Sequence, residues 1–215
     1  MIICIGSEKG GTGKSMISSN LAVLRASQGR SVLLVDTDPQ GSAAEFSRSR
    51  DENDEVPEIV CVQIQGKSVS PEIKKLRPRY DDIVVDVGGR YSEGFAGALR
   101  VCDKLVIPFL PSQSDAWALQ NMEQIVAAAR ENNTDLRAYM VLNKADAYAR
   151  STMNDEAREF ATTLQELELL PVAIGYRMAY RRAFGSGFAV TELQGRNQDK
   201  KATAEIEALA AEVWK

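Results

Sequence analysis

Short apolar runs recur along the chain, at Ile2 to Ile5, Val32 to Val35, Ile59 to Ile64, Ile83 to Val87, Leu105 to Phe109, Tyr139 to Leu142 and Val172 to Ile174. They are continuous rather than alternating, the pattern of strands covered on both faces of a parallel sheet. Between them the spacing becomes helical. Ile17, Leu21 and Leu24 stand at i, i+4 and i+7 in a segment that stops at Gly29, and Leu119, Met122 and Val126 mark another, with Ser114 as its expected N-cap. Strands and helices in alternation predict an α/β fold, a doubly wound, mostly parallel sheet flanked by helices, in one domain over residues 1–215. Ligands of such sheets collect at the carboxyl ends of the strands.

Two further segments complete the pattern. Residues 47–58, "SRSRDENDEVPE", are charged and poor in apolar positions, and read as a solvated loop between a helix and the third strand. Near the end, Ile206, Leu209, Ala210 and Val213 form one apolar stripe with Glu205, Glu207 and Glu212 among the remaining positions. An interfacial helix meeting anionic lipid would carry lysines there, so the stripe predicts a helix docked on the core and no membrane partner.

Composition narrows the chemistry. Hydrophobic residues at 44% and charged residues at 26% suit a globular domain, and no apolar run nears the roughly 18 residues of a membrane span. The run Ile2 to Ile5 is too short for an export signal, so a cytoplasmic location is expected. Cys4, Cys61 and Cys102 are far apart and read as buried thiols, with no C-x-x-C pair for a metal. There is no histidine, so any catalysis rests on carboxylates, lysines, backbone amides and a bound cation.

The first strand runs into "GSEKGGTGKS", residues 6–15. Gly13, Lys14 and Ser15 end a phosphate loop of the form G-x-x-x-x-G-K-[ST], but its opening glycine is replaced by Glu8, and Lys9, Gly10 and Gly11 follow. Glycines let backbone N–H groups converge on phosphate oxygens at a helix N-terminus; Lys14 would reach the β- and γ-phosphates and Ser15 would ligate Mg²⁺. "SVLLVDTDPQ" ends a strand on Asp36 and Asp38, and "IVVDVGG" ends another on Asp86, the Walker B arrangement of an acid beside Mg²⁺.

These runs together resemble the ParA/MinD group of P-loop NTPases. Lys9 to Ser15 is similar to their deviant Walker A motif, K-G-G-x-G-K-[ST], "DTDPQ" to their second motif and "VVDVGG" to their Walker B, while "PSQSDAWAL" and "YRMAYRRAFGSGFAVTE" are similar to later segments. The resemblance implies an ATPase using ATP and Mg²⁺, with Lys9, Gly10, Gly11, Thr12, Gly13, Lys14 and Ser15 around the nucleotide and Asn143 near the adenine. It further implies an ATP-bound homodimer in which Lys9 reaches the partner's phosphates, as an arginine finger does. Lys9, Lys14 and Asp38 would be catalytic, Asp38 by positioning water, with Ser15, Asp36, Asp38 and Asp86 near the metal.

Within that group the chain resembles the small, stand-alone ParA type, with no helix-turn-helix extension and no basic membrane-targeting tail. The expected function is plasmid or other DNA partition through nonspecific nucleoid DNA and a ParB-like or small centromere-binding adaptor. Positioning of a protein compartment or array is the alternative. From Arg177 to Lys201 six cations face two acids within a chain of net charge −4, and Arg177, Arg181 and Arg182 are the expected DNA contacts. Three rival readings share some of these residues. Asn143-Lys144-Ala145-Asp146 matches the N-K-x-D guanine signature of GTPases; a regulator that binds nucleotide without hydrolysing it would share the loop; and a metal-cluster carrier would need Cys102 at a dimer interface.

Overall fold

The computed structural model describes residues 1–53, 56–146 and 152–215. Its strands are β1 (Ile2–Ile5), β2 (Val32–Asp36), β3 (Val60–Gln63), β4 (Asp82–Asp86), β5 (Lys104–Phe109), β6 (Arg137–Ala145) and β7 (Glu168–Gly175). They form one seven-stranded sheet in the order β3-β2-β4-β1-β5-β6-β7, every pairing parallel. Each expected apolar run became a strand. Burial on both faces holds at every residue of β1, β2, β4 and β5, whereas β3 and β7, the two edge strands, are partly exposed.

The helices are α1 (Lys14–Ser27), α2 (Ser42–Asp51), α3 (Val69–Leu76), α4 (Glu93–Leu99), α5 (Gln113–Arg130), α6 (Met153–Ala161), α7 (Met178–Gly185) and α8 (Lys200–Val213). Alternate residues of a strand point to opposite faces, so two cores form. On one side Ile3, Ile5, Leu34 and Val84 pack on Ile17 and Leu21 of α1 and Ile206 and Leu209 of α8. On the other, Ile2, Cys4, Leu33 and Val85 pack on Ile73, Phe95, Leu119 and Met122. Each such fully buried aliphatic contributes about 1.5–3 kcal/mol. The C-terminal stripe is thus a docked helix, further tied by Lys104 Nζ, which donates to the Val213 carbonyl at 2.8 Å. Among the described residues no helix is long and apolar enough to cross a membrane.

Two local expectations need correction. The cap of α5 is Ser112, whose Oγ accepts from the Asp115 N–H; Ser114 lies inside the first turn, where its hydroxyl serves another partner. Residues 47–51 belong to α2 and are not a solvated loop. Arg50 is 2% exposed: Nη1 and Nη2 donate to Glu192 at 2.8 and 2.6 Å, Nε to the Pro57 carbonyl and Nη1 also to that of Gly187. A buried guanidinium with four acceptors is a structural cross-link between α2 and the segment after α7. Asp54 and Glu55, also in that stretch, lie outside the described residues.

Candidate nucleotide site

The loop between β1 and α1 stands at the centre of the sheet, at the carboxyl end of β1 with β4 and β5 on either side. Gly13 caps α1 at φ 92°, a left-handed conformation that L side chains rarely adopt, and a Cβ there would collide with Asn143 Nδ2. The loop holds its own shape: the Lys9 carbonyl accepts from Ser7 Oγ at 3.2 Å and from Lys14 Nζ at 2.9 Å, and Ser7 and Thr12 share a hydroxyl contact at 2.9 Å. Lys14 is buried. Burial lowers its pKa, opposed by the charges of Asp86 and Asp38.

Beside the loop lies a hollow of about 870 Å³, lined by Gly10, Gly13, Lys14, Ser15, Asp38 and Gly89 among others. Gly89 admits the close approach of the segment after β4, since a Cβ there would lie 3.1 Å from Gly10 Cα. Asp38 is half-buried at its edge, with Oδ1 accepting from the Gln40 N–H at 2.9 Å.

Asp86 ends β4, opposite Ile5 and Asp36 in the sheet register. It is fully buried and neither carboxylate oxygen has a hydrogen-bond partner. Burial pushes its pKa up to about 7, with the charge of Asp36 adding to the rise and the Ser15 hydroxyl and Lys14 opposing it. A buried carboxylate with unspent oxygens, facing a serine hydroxyl at a phosphate loop, fits a divalent cation and its water shell. Asp36, its neighbour across the sheet, differs in that both oxygens already accept one bond: Oδ1 from the Asp38 N–H and Oδ2 from the Ala44 N–H of α2, each at 2.9 Å.

Three other expected contacts are differently employed. Asn143 is buried with Nδ2 donating to the Thr12 carbonyl at 2.5 Å and Oδ1 accepting from the Lys144 N–H at 2.8 Å, so it braces the loop instead of presenting its amide to a base. Arg177 is tied to Glu205 through Nε and Nη2, and its pKa is raised chiefly by that bond, which withdraws it from any DNA surface. Cys102 is 1% exposed and cannot face a second subunit, and among the described residues no group of three or more His, Cys, Asp or Glu is placed to hold a metal. Cys4 and Cys102 are the buried thiols expected, while Cys61, on the edge strand, is only half-buried.

Lys9 stands apart from Lys14. Its side chain is 32% exposed at the loop mouth, where Nζ donates to Ser114 Oγ at 2.7 Å and pairs with the buried carboxylate of Asp115. Asp115 was not legible as a site residue, because nothing local in "PSQSDAWAL" says that it meets a loop 106 residues earlier. Arg181 and Arg182 on α7 are exposed and have no ion-pair partner among the described residues. Arg182 borders a second, larger hollow of about 1180 Å³ together with Arg196, Lys200 and Lys201, away from the phosphate loop.

Fold and site together define a phosphate-loop nucleotide-binding protein. The chain belongs to the CobQ/CobB/MinD/ParA nucleotide-binding domain family, whose model matches residues 3–190. It is 31% identical over 216 residues to the maintenance of carboxysome distribution protein A of Halothiobacillus neapolitanus, covering 98% of this chain and 95% of that protein. Among solved structures, the septum site-determining protein MinD of Pyrococcus horikoshii, complexed with Mg-ADP, superposes with a TM-score of 0.73 at 20% identity, over all of this chain and 96% of that one. Cobyrinic acid a,c-diamide synthase of Mycobacterium smegmatis, with an ATP analogue and magnesium, gives 0.79 at 15% identity over 99% and 93%.

Proposed function

We propose that this chain is a ParA-type positioning ATPase, which dimerises on Mg²⁺-ATP, binds DNA without sequence preference and distributes a protein compartment. The observation that carries the ATPase reading is the division of labour between two lysines. Lys14 is buried within its own loop, whereas Lys9 is presented at the mouth, where it can meet phosphates held by a second copy. A cation supplied in trans stabilises charge on the transferring phosphoryl group and makes turnover depend on dimerisation.

The residues divide the work as follows. Backbone N–H groups of residues 10–15 and Lys14 would hold the phosphates, Ser15 and Asp86 would hold the cation, and Asp38, at the edge of the hollow, would orient the attacking water. A Mg²⁺ ion held there would neutralise charge on the nucleotide's phosphates. Asp36 supports Asp38 from below by accepting its N–H. Exposed Arg181 and Arg182 offer a nonspecific phosphate surface that two-fold symmetry doubles.

A compartment cargo, with an adaptor protein in place of a centromere-binding one, is supported over a plasmid by the full-length similarity to a carboxysome distribution protein. Deletion of the gene in its host should collapse an evenly spaced protein compartment into clusters while plasmid retention is unchanged. Plasmid loss with normal compartment spacing would return the reading to DNA partition.

A further inference from the structure

We propose that Lys144 is a positioning residue for the nucleotide, which, with Asn143, sets the orientation of two successive peptide planes in the phosphate loop. Lys144 Nζ donates to the Gly11 carbonyl at 2.7 Å and Asn143 Nδ2 to the Thr12 carbonyl at 2.5 Å. In a planar trans peptide the C=O of one residue and the N–H of the next point in opposite directions. Drawing the carbonyls of Gly11 and Thr12 toward the end of β6 therefore turns the N–H groups of Thr12 and Gly13 away from it. The hollow beside the loop is lined by Gly10, Gly11, Gly13 and Lys14 among others and by no residue of β6, while Thr12 is buried. Successive N–H groups turned the same way form an anion-binding device, and Gly13, the second of the two, borders the hollow.

The backbone is bent to allow this. Neighbouring residues of a strand point to opposite faces, so Asn143 and Lys144 would not ordinarily reach one loop. Lys144 has φ 51°, the one non-glycine residue in the left-handed region among those described, and the β6–β7 register shifts between Leu142 and Ala145. Asn143 Oδ1, accepting from the Lys144 N–H at 2.8 Å, holds the bend. Unfavourable backbone that persists between two side chains reaching one loop points to function. The loop side is matched, for only a glycine at 13 leaves room for the Asn143 amide.

The inference rests on the loop binding nucleotide, and the test separates the two. Affinities for a fluorescent ATP analogue and the corresponding ADP analogue, with Mg²⁺, are measured for wild type, Lys144→Met, Lys144→Gln and Lys144→Arg, alongside the melting temperature of each nucleotide-free protein. Lys144→Met should weaken both nucleotides equally, by about 10- to 100-fold, the range for removing one hydrogen bond from a charged donor. Lys144→Arg keeps a charged donor of similar reach and should recover most of the affinity, Lys144→Gln, neutral and one bond shorter, should recover only part, and the nucleotide-free melting temperatures should stay together. Wild-type affinity in Lys144→Met overturns the proposal. So does a Lys144→Arg protein as weak as Lys144→Met, which shows that a charged donor at this position does not matter to the loop, or a melting temperature that falls in step with affinity, which makes the brace structural. Wild type that binds neither nucleotide overturns the nucleotide reading itself.

Discussion

The Lys9 ammonium is held by the Asp115 carboxylate within its own chain, at the first turn of α5. The carboxylate is 2% exposed and also accepts from the Leu110 N–H at 3.1 Å and from the Ser112 hydroxyl. It is fixed, and Lys9 is the partner that can leave. A lysine that crosses to a second subunit must first exchange this carboxylate for phosphate.

Asp115→Asn should therefore ease dimerisation. The neutral amide keeps the shape but gives up the ion pair, worth about 1.5–3 kcal/mol for a hydrogen bond to a charged group. Sedimentation with a slowly hydrolysed ATP analogue should show dimer at protein concentrations roughly tenfold or more lower than wild type, since a symmetric dimer gives up two such pairs. Lys9→Ala should remain monomeric while still binding nucleotide, and dimerisation of that variant at the wild-type concentration would remove Lys9 from the interface.

Asp38→Ala should hold ATP and the dimer and lose turnover by about 10²-fold or more, the usual scale for a group that positions or activates water. Its carboxylate accepts from the Gln40 N–H and acts on Lys14 only through its charge, while Lys14 is held by the Lys9 carbonyl, so the phosphate cradle survives. Phosphate release under single-turnover conditions reads this without interference from product release.

Replacing Arg181 and Arg182 together by alanine should weaken ATP-dependent DNA binding uniformly across sequences and flatten the dependence on salt by about one unit for each phosphate no longer neutralised. Arg177→Ala should leave the salt slope alone and lower stability instead, since its guanidinium is spent on Glu205. An unchanged slope in the double variant would direct attention to exposed Lys74 on α3 and Arg79 just after it, since α3 packs on the opposite face of the sheet from α7.

Asp86 gives the nucleotide-free, metal-free protein a defined pH dependence. Its folded pKa of about 7 lies above the ordinary aspartate value of 3.8, so the folded state binds more protons than the unfolded between those limits. The cost of the buried charge is present in full above pH 7, fades as pH falls, and is gone below about 4. In EDTA, Asp86→Asn should therefore be more stable than wild type at pH 8, by an amount on the order of a few kcal/mol, and should converge with it near pH 4. Equal urea midpoints at pH 8 would mean that the carboxylate is solvated.

Glu192→Ala should lower the urea midpoint by the equivalent of about 3 kcal/mol, because it leaves the Arg50 guanidinium buried with only the Pro57 and Gly187 carbonyls as acceptors. Nucleotide affinity should hold, since neither residue touches the hollow beside the loop.

Local pattern determined the strands, the phosphate loop and its two lysines, because apolar run length, glycine spacing and a cation's identity are written residue by residue. β1 and the glycines after it read correctly from the first fifteen positions, as did Asp86 at the end of an apolar run. Tertiary structure decided what each polar group is spent on. Asp36 and Asp38 look alike in "DTDPQ", yet one closes a helix start and the other faces the hollow, because only one lies within reach of the Ala44 N–H. Arg177 reads as a free cation beside Arg181 until α8 brings Glu205 against it, and Arg50 reads as a solvated charge until Glu192 arrives from 142 positions away. Hydrogen bonds and ion pairs act over about 3 Å in space and are indifferent to distance along the chain, so a sequence states which groups are available and only the fold states which of them are already taken.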